Sequence, residues 1–392
     1  MRIENYELRI MKKILTILFA IFCVAIAQAK VICGAERTSA WLPILKGQKV
    51  ALLANHTATV GNEHLLDVML ANKVNVVAVV SPEHGFRGTA DDGEKVNSSI
   101  DSKTGLPIWS LYSSKTRELS PEQVAQFDVI VVDIQDVGLR FYTYYVTMLA
   151  VMRNAYDGGK KVVVFDRPNP NGMYVDGPIL DMKYKSGVGA LPIPVVHGLT
   201  MGEIAKMAVG EGWCKRVDLE VVPCKNYTHQ TRYTLPSPPS PNLRSMQAVY
   251  LYPSTCMFEG TICSLGRGTE FSFEVYGHPD IKDASFSFTP RPIAGSKYPP
   301  LLNKLCYGVD LRSIPHEEII ANGFNLEYLI DAYNRLGVGE AFFNKRFKKL
   351  AGQDYVREMI LAGKSASEIR AMWQKDVEQF KVLRRKYLLY KE

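Results

Sequence analysis

Short apolar runs alternate with stretches of helical spacing through the first two thirds of the chain. Runs rich in Val, Ile and Leu predict buried strands at Val50 to Ala54, Val74 to Val80, Val129 to Ile134 and Lys161 to Phe165. The segments between them predict helices at Leu65 to Ala71 and Tyr144 to Tyr156. Strands that alternate with helices in this way are typical of a parallel sheet covered on both faces, so we expect an α/β, Rossmann-like fold.

A proline-rich passage, Leu235 to Asn242, interrupts this pattern. Proline cannot continue a helix or a central strand, so the passage predicts a linker or a rigid loop. Beyond it, helices are predicted at Leu326 to Leu336, Tyr355 to Ala362 and Ser365 to Phe380. We therefore expect a Rossmann-like catalytic domain over residues 30–237 and a second, smaller α+β domain over residues 238–392 that closes the cleft.

The N-terminal segment has the three parts of a secretory signal peptide. Met11-Lys12-Lys13 is basic, Ile14 to Ile26 is apolar, and Ala27-Gln28-Ala29 offers small residues for cleavage. The apolar run has about 13 residues, fewer than the roughly 20 that a membrane-spanning helix needs. The pattern predicts a cleaved signal over residues 1–29, an exported protein of the periplasm or the medium, and no stable membrane anchor.

Composition places the chain among ordinary globular proteins, because apolar residues make up 47% of it. The formal net charge is +7, but the charges are spread along the chain, and the basic stretches near its end are typical of solvated helix faces. We therefore expect no nucleic-acid partner. The sequence does not indicate an oligomeric state.

Six cysteines follow the predicted signal segment, and an oxidising compartment would allow disulfides among them. Their spacing favours two local pairs, Cys214 with Cys224 and Cys256 with Cys263. Six cysteines allow about 15 complete pairings, so the sequence leaves the connectivity open.

Polar residues gather where the four predicted strands end. The segments that follow the strands are Asn55-His56-Thr57, Ser81 to Gly88, Asp133 to Arg140 and Asp166-Arg167-Pro168-Asn169-Pro170. In open α/β sheets the carboxyl ends of the strands form the ligand crevice, so we expect a site at this edge. Single residues also have structural interpretations, since Asp136 and Arg140 could pair with each other and Asp166-Arg167 could only end a strand. Glu83-His84 lies in a loop bounded by Pro and Gly, which favours a functional role.

Several common chemistries lack their markers. The first strand-to-helix turn, Ala54 to Gly61, has no closely spaced glycines for a pyrophosphate, which argues against a nucleotide site. No GxSxG nucleophile elbow and no HExxH zinc motif occur. We therefore expect no cofactor and no metal.

Four motifs resemble those of a known family. They are Ser81 to Gly88 (SPEHGFRG), Asp133 to Tyr144 (DIQDVGLRFYTY), Asp166 to Pro170 (DRPNP), and Phe258 to Thr261 (FEGT) with Gly266 to Thr269 (GRGT). Together they resemble the exo-β-N-acetylmuramidases of the NamZ type, formerly a family of unknown function, from about Gly47 to the C-terminus. The resemblance implies release of N-acetylmuramic acid from the non-reducing end of peptidoglycan fragments, in a cleft between a Rossmann-like domain and a smaller one.

The same resemblance places the family's glutamate on Glu83, which we expect to act with its neighbour His84. Glu83 would be the general acid that protonates the glycosidic oxygen, with a pKa raised by a partly apolar loop beside Phe86. Glycosidases usually need a second carboxylate, for which Asp133 is our first candidate and Asp136 our second. The 2-acetamido group of the substrate could instead be the nucleophile, with an aspartate that only orients it.

Muramic acid carries a lactyl carboxylate, which calls for a cation in the site, best an arginine. Arg87, Arg140 and Arg267 each lie in one of the motifs. Tyr142 could offer its ring to the sugar face. The other predicted substrate-binding residues are Asn55, His56, Asp166, Asn169 and Glu259.

Two other functions fit parts of the sequence. A metal-dependent amidase or deacetylase of cell-wall glycans could assemble its ligands from His56, His84, Asp133, Asp136, Asp166 and His197. A non-catalytic glycan-binding protein would keep the arginines and aromatic rings but would not need Glu83.

Overall fold

The computed structural model describes residues 29–82, 85–86, 99–111 and 117–392. The first part of the chain contributes nine strands: Lys49–Ala54 (β1), Thr59–Val60 (β2), Glu63–His64 (β3), Asn75–Ser81 (β4), Ser99–Ile100 (β5), Pro107–Ser110 (β6), Val129–Asp133 (β7), Lys161–Phe165 (β8) and Asp218–Val222 (β9). Seven of them form one sheet in the order β5-β6-β4-β1-β7-β8-β9. All neighbours in that sheet are parallel except β5 and β6. The α/β fold expected from the alternating pattern is confirmed.

Helices cover both faces of this sheet: Thr38–Leu45 (α1), Leu65–Ala71 (α2), Pro121–Val124 (α3), Tyr144–Asp157 (α4) and Met201–Gly210 (α5). Successive residues of a strand face opposite sides. In β1, Val50 and Leu52 join the apolar cluster that contains residues of α1 and α2, whereas Ala51 and Leu53 join the cluster of α4 and α5. Burial on both sides explains why the strands are nearly continuous apolar runs.

The large sheet and its helices form the first layer of the molecule. The rest of the chain forms a second, smaller layer with its own antiparallel sheet. Its strands are Val275–His278 (β10), Phe286–Phe288 (β11) and Cys306–Asp310 (β12), in the order β10-β12-β11. Its helices are Met246–Thr255 (α6), His316–Asn322 (α7), Glu327–Leu336 (α8), Phe347–Ala351 (α9), Tyr355–Leu361 (α10) and Ala366–Arg384 (α11). The expected α+β character of this part is confirmed.

The last helix begins at a capping box, as the sequence indicates. Ser365 accepts a hydrogen bond from the amide of Glu368, and the Glu368 carboxylate accepts one from the Ser365 amide in return. The helix runs on to Arg384, beyond the predicted end at Phe380. The chain then returns to the first layer, where Tyr390 donates its hydroxyl to Asp166 Oδ2 at 2.6 Å.

The six cysteines of the described residues are free thiols in this structure, so neither Cys214 with Cys224 nor Cys256 with Cys263, the pairs that the spacing favours, is linked. The Cys224 thiol is buried and donates to the carbonyl oxygen of Asp166 at 3.2 Å. Cys214 instead follows α5, and its amide donates to the carbonyl of Ala208.

Residues 1–28 of the predicted signal segment lie outside the described residues. The cleavage of this segment stays a prediction. Among the residues that the structure does describe, no helix combines the length and the apolar character needed to cross a bilayer.

Candidate active site

Asp133 lies at the carboxyl end of β7 and is held by an arginine. Arg167 Nε donates to Asp133 Oδ1 at 2.5 Å, and Arg167 Nη2 donates to Oδ2 at 2.8 Å. Both side chains are buried, so this two-pronged ion pair is shielded from water. In the sequence, Arg167 stands between Asp166 and Pro168 at the sheet edge, where both a structural and a functional role were open, and its pairing with Asp133 was not predicted.

Asp136 lies beyond the same strand and is held less completely. Its Oδ1 accepts a hydrogen bond from the Gly138 amide at 2.7 Å, whereas Oδ2 has no partner within the described ranges. Burial raises the pKa of Asp136 to about 7, and backbone donors such as the Gly138 amide oppose this rise only in part. Asp136 therefore has one buried carboxylate oxygen without a hydrogen-bond partner among the described residues, and its pKa lies near neutral pH.

Gly138 fixes this turn through its backbone conformation. Its φ is +81°, which favours glycine, and a Cβ there would lie 2.1 Å from Asn169 Oδ1. Asn169 is itself buried and donates from Nδ2 to the Leu199 carbonyl at 2.9 Å. Its contacts position the Asp136 loop from the neighbouring strand end.

Asn55 begins a hydrogen-bond network across the strand ends. Asn55 Nδ2 donates to the Tyr144 hydroxyl at 3.0 Å, and its Oδ1 accepts from the Thr57 hydroxyl at 2.6 Å. Thr57 Oγ1 in turn accepts from the amide of Gln135 at 3.0 Å. The ends of β1 and β7 are thereby tied to the start of α4.

The proline-rich segment, residues 235–242, lies over this edge of the sheet. His56 Nε2 lies 2.8 Å from the carbonyl oxygen of Pro238, and the hydroxyls of Tyr142 and Tyr144 donate to that of Pro239 at 3.0 and 3.1 Å. A rigid loop, one of the two predicted possibilities, is therefore what the structure contains.

Asp166 is fully buried and has three donors. Thr200 Oγ1 and Tyr390 OH donate to Oδ2, both at 2.6 Å, and the amide of Gly202 donates to Oδ1 at 2.8 Å. Burial raises the pKa of Asp166 to about 6, against the lowering effect of these bonds. The carboxylate joins β8, the start of α5 and the chain end, and the geometry favours this structural role over contact with a substrate.

Arg140 is also fully buried, and its guanidinium binds backbone rather than Asp136. Nη1 donates to the carbonyls of Pro178 and Ile193, at 2.5 and 3.2 Å. Nη2 donates to those of Leu350 and Ala351, at 2.6 and 2.9 Å. Since α9 belongs to the second layer, this side chain joins the two layers of the molecule.

A cavity between the two layers holds a charged cluster. Tyr142 lies on its wall from the first layer, and Glu259, Arg267 and Arg346 lie on it from the second. Arg267 Nη2 donates to Glu259 Oε1 at 2.6 Å, and Arg346 Nη2 lies 3.7 Å from Glu259 Oε2. Among the described residues, the Glu259 carboxylate is thus held between two arginines. Arg346 has no marker in the sequence and was missed.

Three of the predicted site residues, Glu83, His84 and Arg87, lie outside the described residues. Phe86 is described, and its buried ring makes an edge contact with His64 at 5.0 Å between centroids.

Within the described ranges, no three His, Cys, Asp or Glu side chains are arranged to hold a metal ion. His197, one of the candidate ligands, is buried and its pKa is lowered to about 3 by that burial.

Two family models match consecutive parts of the chain. They describe the N-terminal domain of the exo-β-N-acetylmuramidase NamZ, over residues 50–247, and its C-terminal domain, over residues 250–390. The peptidoglycan β-N-acetylmuramidase NamZ of Bacillus subtilis (strain 168) is 36% identical over 365 residues, which cover 88% of each chain.

Two crystal structures of DUF1343 family proteins from Bacteroides fragilis NCTC 9343 have the same fold. One (BF0379) is 57% identical with a TM-score of 0.87, and the match covers 93% of this chain and 100% of that one. The other (BF0371) is 28% identical with a TM-score of 0.76, over 92% of this chain and 99% of that one. With both family models covering most of its length, the chain belongs to the NamZ family of exo-β-N-acetylmuramidases.

Proposed function

We propose that this protein is a glycoside hydrolase that releases N-acetylmuramic acid from the non-reducing end of peptidoglycan fragments. The observation that carries this function is the match of both NamZ domains in consecutive order, together with 36% identity to a peptidoglycan β-N-acetylmuramidase over 88% of the chain. The N-terminal signal pattern supports a site of action outside the cytosol, in the periplasm.

Glu83 acts as the general acid in this proposal. As the C1–O bond of the glycoside breaks, the Glu83 carboxyl group passes its proton to the leaving oxygen, and positive charge develops at C1. A water molecule or the substrate's own acetamido oxygen then forms the new bond to C1.

Asp136 is the carboxylate that serves the second half of the reaction. It takes a proton from the attacking water, or it holds the N–H of the acetamido group while that group attacks. The contacts of the two aspartates support this choice, because both oxygens of Asp133 are bound by Arg167 whereas Asp136 keeps Oδ2 available within the described residues. Asp133 and Arg167 instead hold the strand end in place.

Arg267 is the cation that recognises the lactyl carboxylate in this proposal, with Arg346 beside it. Both line the cavity between the layers, where their guanidinium groups lie beside Glu259. Arg140 is excluded from this role by the four carbonyl oxygens that occupy its guanidinium.

The activity is tested with a chromogenic glycoside of N-acetylmuramic acid and its N-acetylglucosamine counterpart. Recognition of the carboxylate predicts a kcat/KM at least ~100-fold higher for the muramic acid compound, since loss of a buried charge partner costs about 2 to 5 kcal/mol. Equal rates on both compounds would refute this specificity. No hydrolysis of either compound would refute the enzymatic function itself.

The role of Glu83 is tested with Glu83→Gln, which keeps the shape of the side chain but has no acidic proton. We expect the rate to fall by roughly 100-fold or more while the melting temperature stays that of the wild type. A rate above about a tenth of the wild-type value would remove Glu83 from the mechanism.

A further inference from the structure

The N-terminal segment and the chain beyond β9 lie side by side as short antiparallel strands. The Ile32 amide donates to the Lys225 carbonyl at 3.0 Å, and the Lys225 amide donates to the Ile32 carbonyl at 2.8 Å. An exchange of two such bonds marks a hydrogen-bonded pair, so the next two residues face each other as a non-hydrogen-bonded pair. Those residues are Cys33 and Cys224.

This register suits a covalent link. The Cα atoms of a non-hydrogen-bonded antiparallel pair lie about 4.5 Å apart, and their side chains are on the same side of the ribbon. Disulfides form at Cα separations of about 4.4 to 6.8 Å. The other cysteines of the described residues are not brought opposite one another by a comparable backbone pairing.

The two thiols also contact each other. The interaction between the two thiols is the largest cause that lowers the pKa of Cys33, with the charge of Arg167 as a further contribution, and it is also the largest cause that raises the pKa of Cys224. Both side chains are buried, yet Cys33 lines a cavity of ≈ 370 Å³ together with Thr59, Arg167 and Tyr233. Cys33 therefore borders the cavity from which a small disulfide donor would approach.

We propose that Cys33 and Cys224 form a disulfide when the protein meets an oxidising disulfide donor, which fastens the N-terminal segment to the end of β9. The Cys33 thiolate attacks one sulfur of the donor, a mixed disulfide forms, and the first donor thiol leaves. Cys224 then loses its proton and attacks the Cys33 sulfur, and the second donor thiol leaves. Two protein thiols are oxidised, and one donor disulfide is reduced to two thiols.

The link lies directly behind the candidate active site. The carbonyl of Asp166 accepts hydrogen bonds from the Gly34 amide at 2.8 Å and from the Cys224 thiol at 3.2 Å. Arg167, the next residue, holds Asp133. The disulfide thereby fixes the N-terminal segment against the strand end that positions Arg167.

The test maps disulfides in the folded full chain after incubation with oxidised glutathione, then alkylation and digestion with trypsin. We expect one linked pair of peptides, residues 31–37 joined to residues 217–225, which disappears on treatment with dithiothreitol. Complete alkylation of Cys33 and Cys224 after oxidation, or a link between Cys256 and Cys263 in their place, would overturn the proposal. This measurement uses the wild-type protein and does not depend on whether a variant folds.

A second measurement compares melting temperatures of oxidised and reduced protein. A crosslink that closes a long loop should raise the melting temperature by about 3 °C or more. The shift should vanish in Cys33→Ser and persist in the control Cys214→Ser, whose half-buried thiol lies after α5. An equal shift in Cys33→Ser would mean that another pair is oxidised and would overturn the assignment.

Discussion

Asp133 lies at the carboxyl end of β7 and Asp136 lies just beyond it, and their surroundings differ in how completely they bind each carboxylate. Asp133 receives two charged hydrogen bonds from Arg167, so both of its carboxylate oxygens are bound by the guanidinium. The Asp136 carboxylate accepts a hydrogen bond from the Gly138 amide, and burial raises its pKa to about 7. A base is most effective when its pKa is near the working pH. Asp133 is the first candidate in the sequence, which contains no sign that Arg167 binds both of its oxygens.

The raised pKa of Asp136 predicts the pH dependence of the reaction. The carboxylate is the form that accepts a proton from water, and its fraction grows as the pH rises through the folded-state value. The plot of kcat/KM against pH should therefore fall on the acid side with an apparent pKa near 7, well above the usual aspartate value of 3.8. Rates measured between about pH 4 and pH 9 test this. An acid limb near pH 4 would show that Asp136 is not the base.

Arg267 should determine the preference for muramic acid. In Arg267→Ala the lactyl carboxylate loses its partner, so the ratio of kcat/KM for the muramic acid and glucosamine glycosides should fall by about tenfold or more. The rate on the glucosamine compound should change little. Arg232→Ala is the matched control, because Arg232 forms an exposed ion pair with Glu317 away from the cavity wall. A ratio that falls equally in both variants would refute this role of Arg267.

Local patterns predict the strands and most helices because burial on two faces, or on one stripe, leaves a period in the sequence. Val129–Asp133 and Lys161–Phe165 were found this way, within one or two residues of their predicted ends. The proline-rich segment differs, since its place over the sheet edge depends on donors from His56, Tyr142 and Tyr144, far away in sequence. The prolines predict that the segment is rigid, but they do not predict which residues it contacts.

The two tyrosine hydroxyls should matter through the proline-rich segment. Tyr142→Phe and Tyr144→Phe each leave the Pro239 carbonyl with one donor fewer, so we expect Tyr142→Phe to lose about 1 kcal/mol of unfolding free energy. Tyr144→Phe should lose more, because it also removes the acceptor of Asn55 Nδ2. Because the segment borders the cavity, kcat/KM should also fall. Urea unfolding and rate measurements on the same samples test both effects. Tyr156→Phe, a change on an exposed side chain of α4, is the control and should alter neither quantity.

Two buried charged side chains that were predicted from the sequence to bind the substrate instead connect distant parts of the molecule. Asp166 holds the chain end through Tyr390, and Arg140 holds α9 against the first layer. A cleft enzyme must keep residues from both layers in register, and these two side chains do so although neither of them lines the cavity. Their positions at strand ends mark both residues as candidates in the sequence. Only their long-range partners distinguish residues that stabilise the sheet edge from residues that contact the substrate. Those partners lie far away in the sequence, some of them near the end of the chain, so local spacing does not predict them.

Arg140 gives the sharpest test of this division. In Arg140→Ala the carbonyls of Pro178, Leu350 and Ala351 each lose a buried charged donor, so we expect the unfolding free energy to fall by about 3 kcal/mol or more. Arg346→Ala, which removes an exposed arginine of the second layer, should change it by no more than about 0.5 kcal/mol. Folded Arg140→Ala, measured well below its melting temperature, should keep the wild-type preference for the muramic acid glycoside, because the guanidinium does not meet the substrate. If the variant is instead as stable as the wild type and loses that preference, Arg140 binds the lactyl carboxylate, and its four backbone bonds do not hold the two layers together.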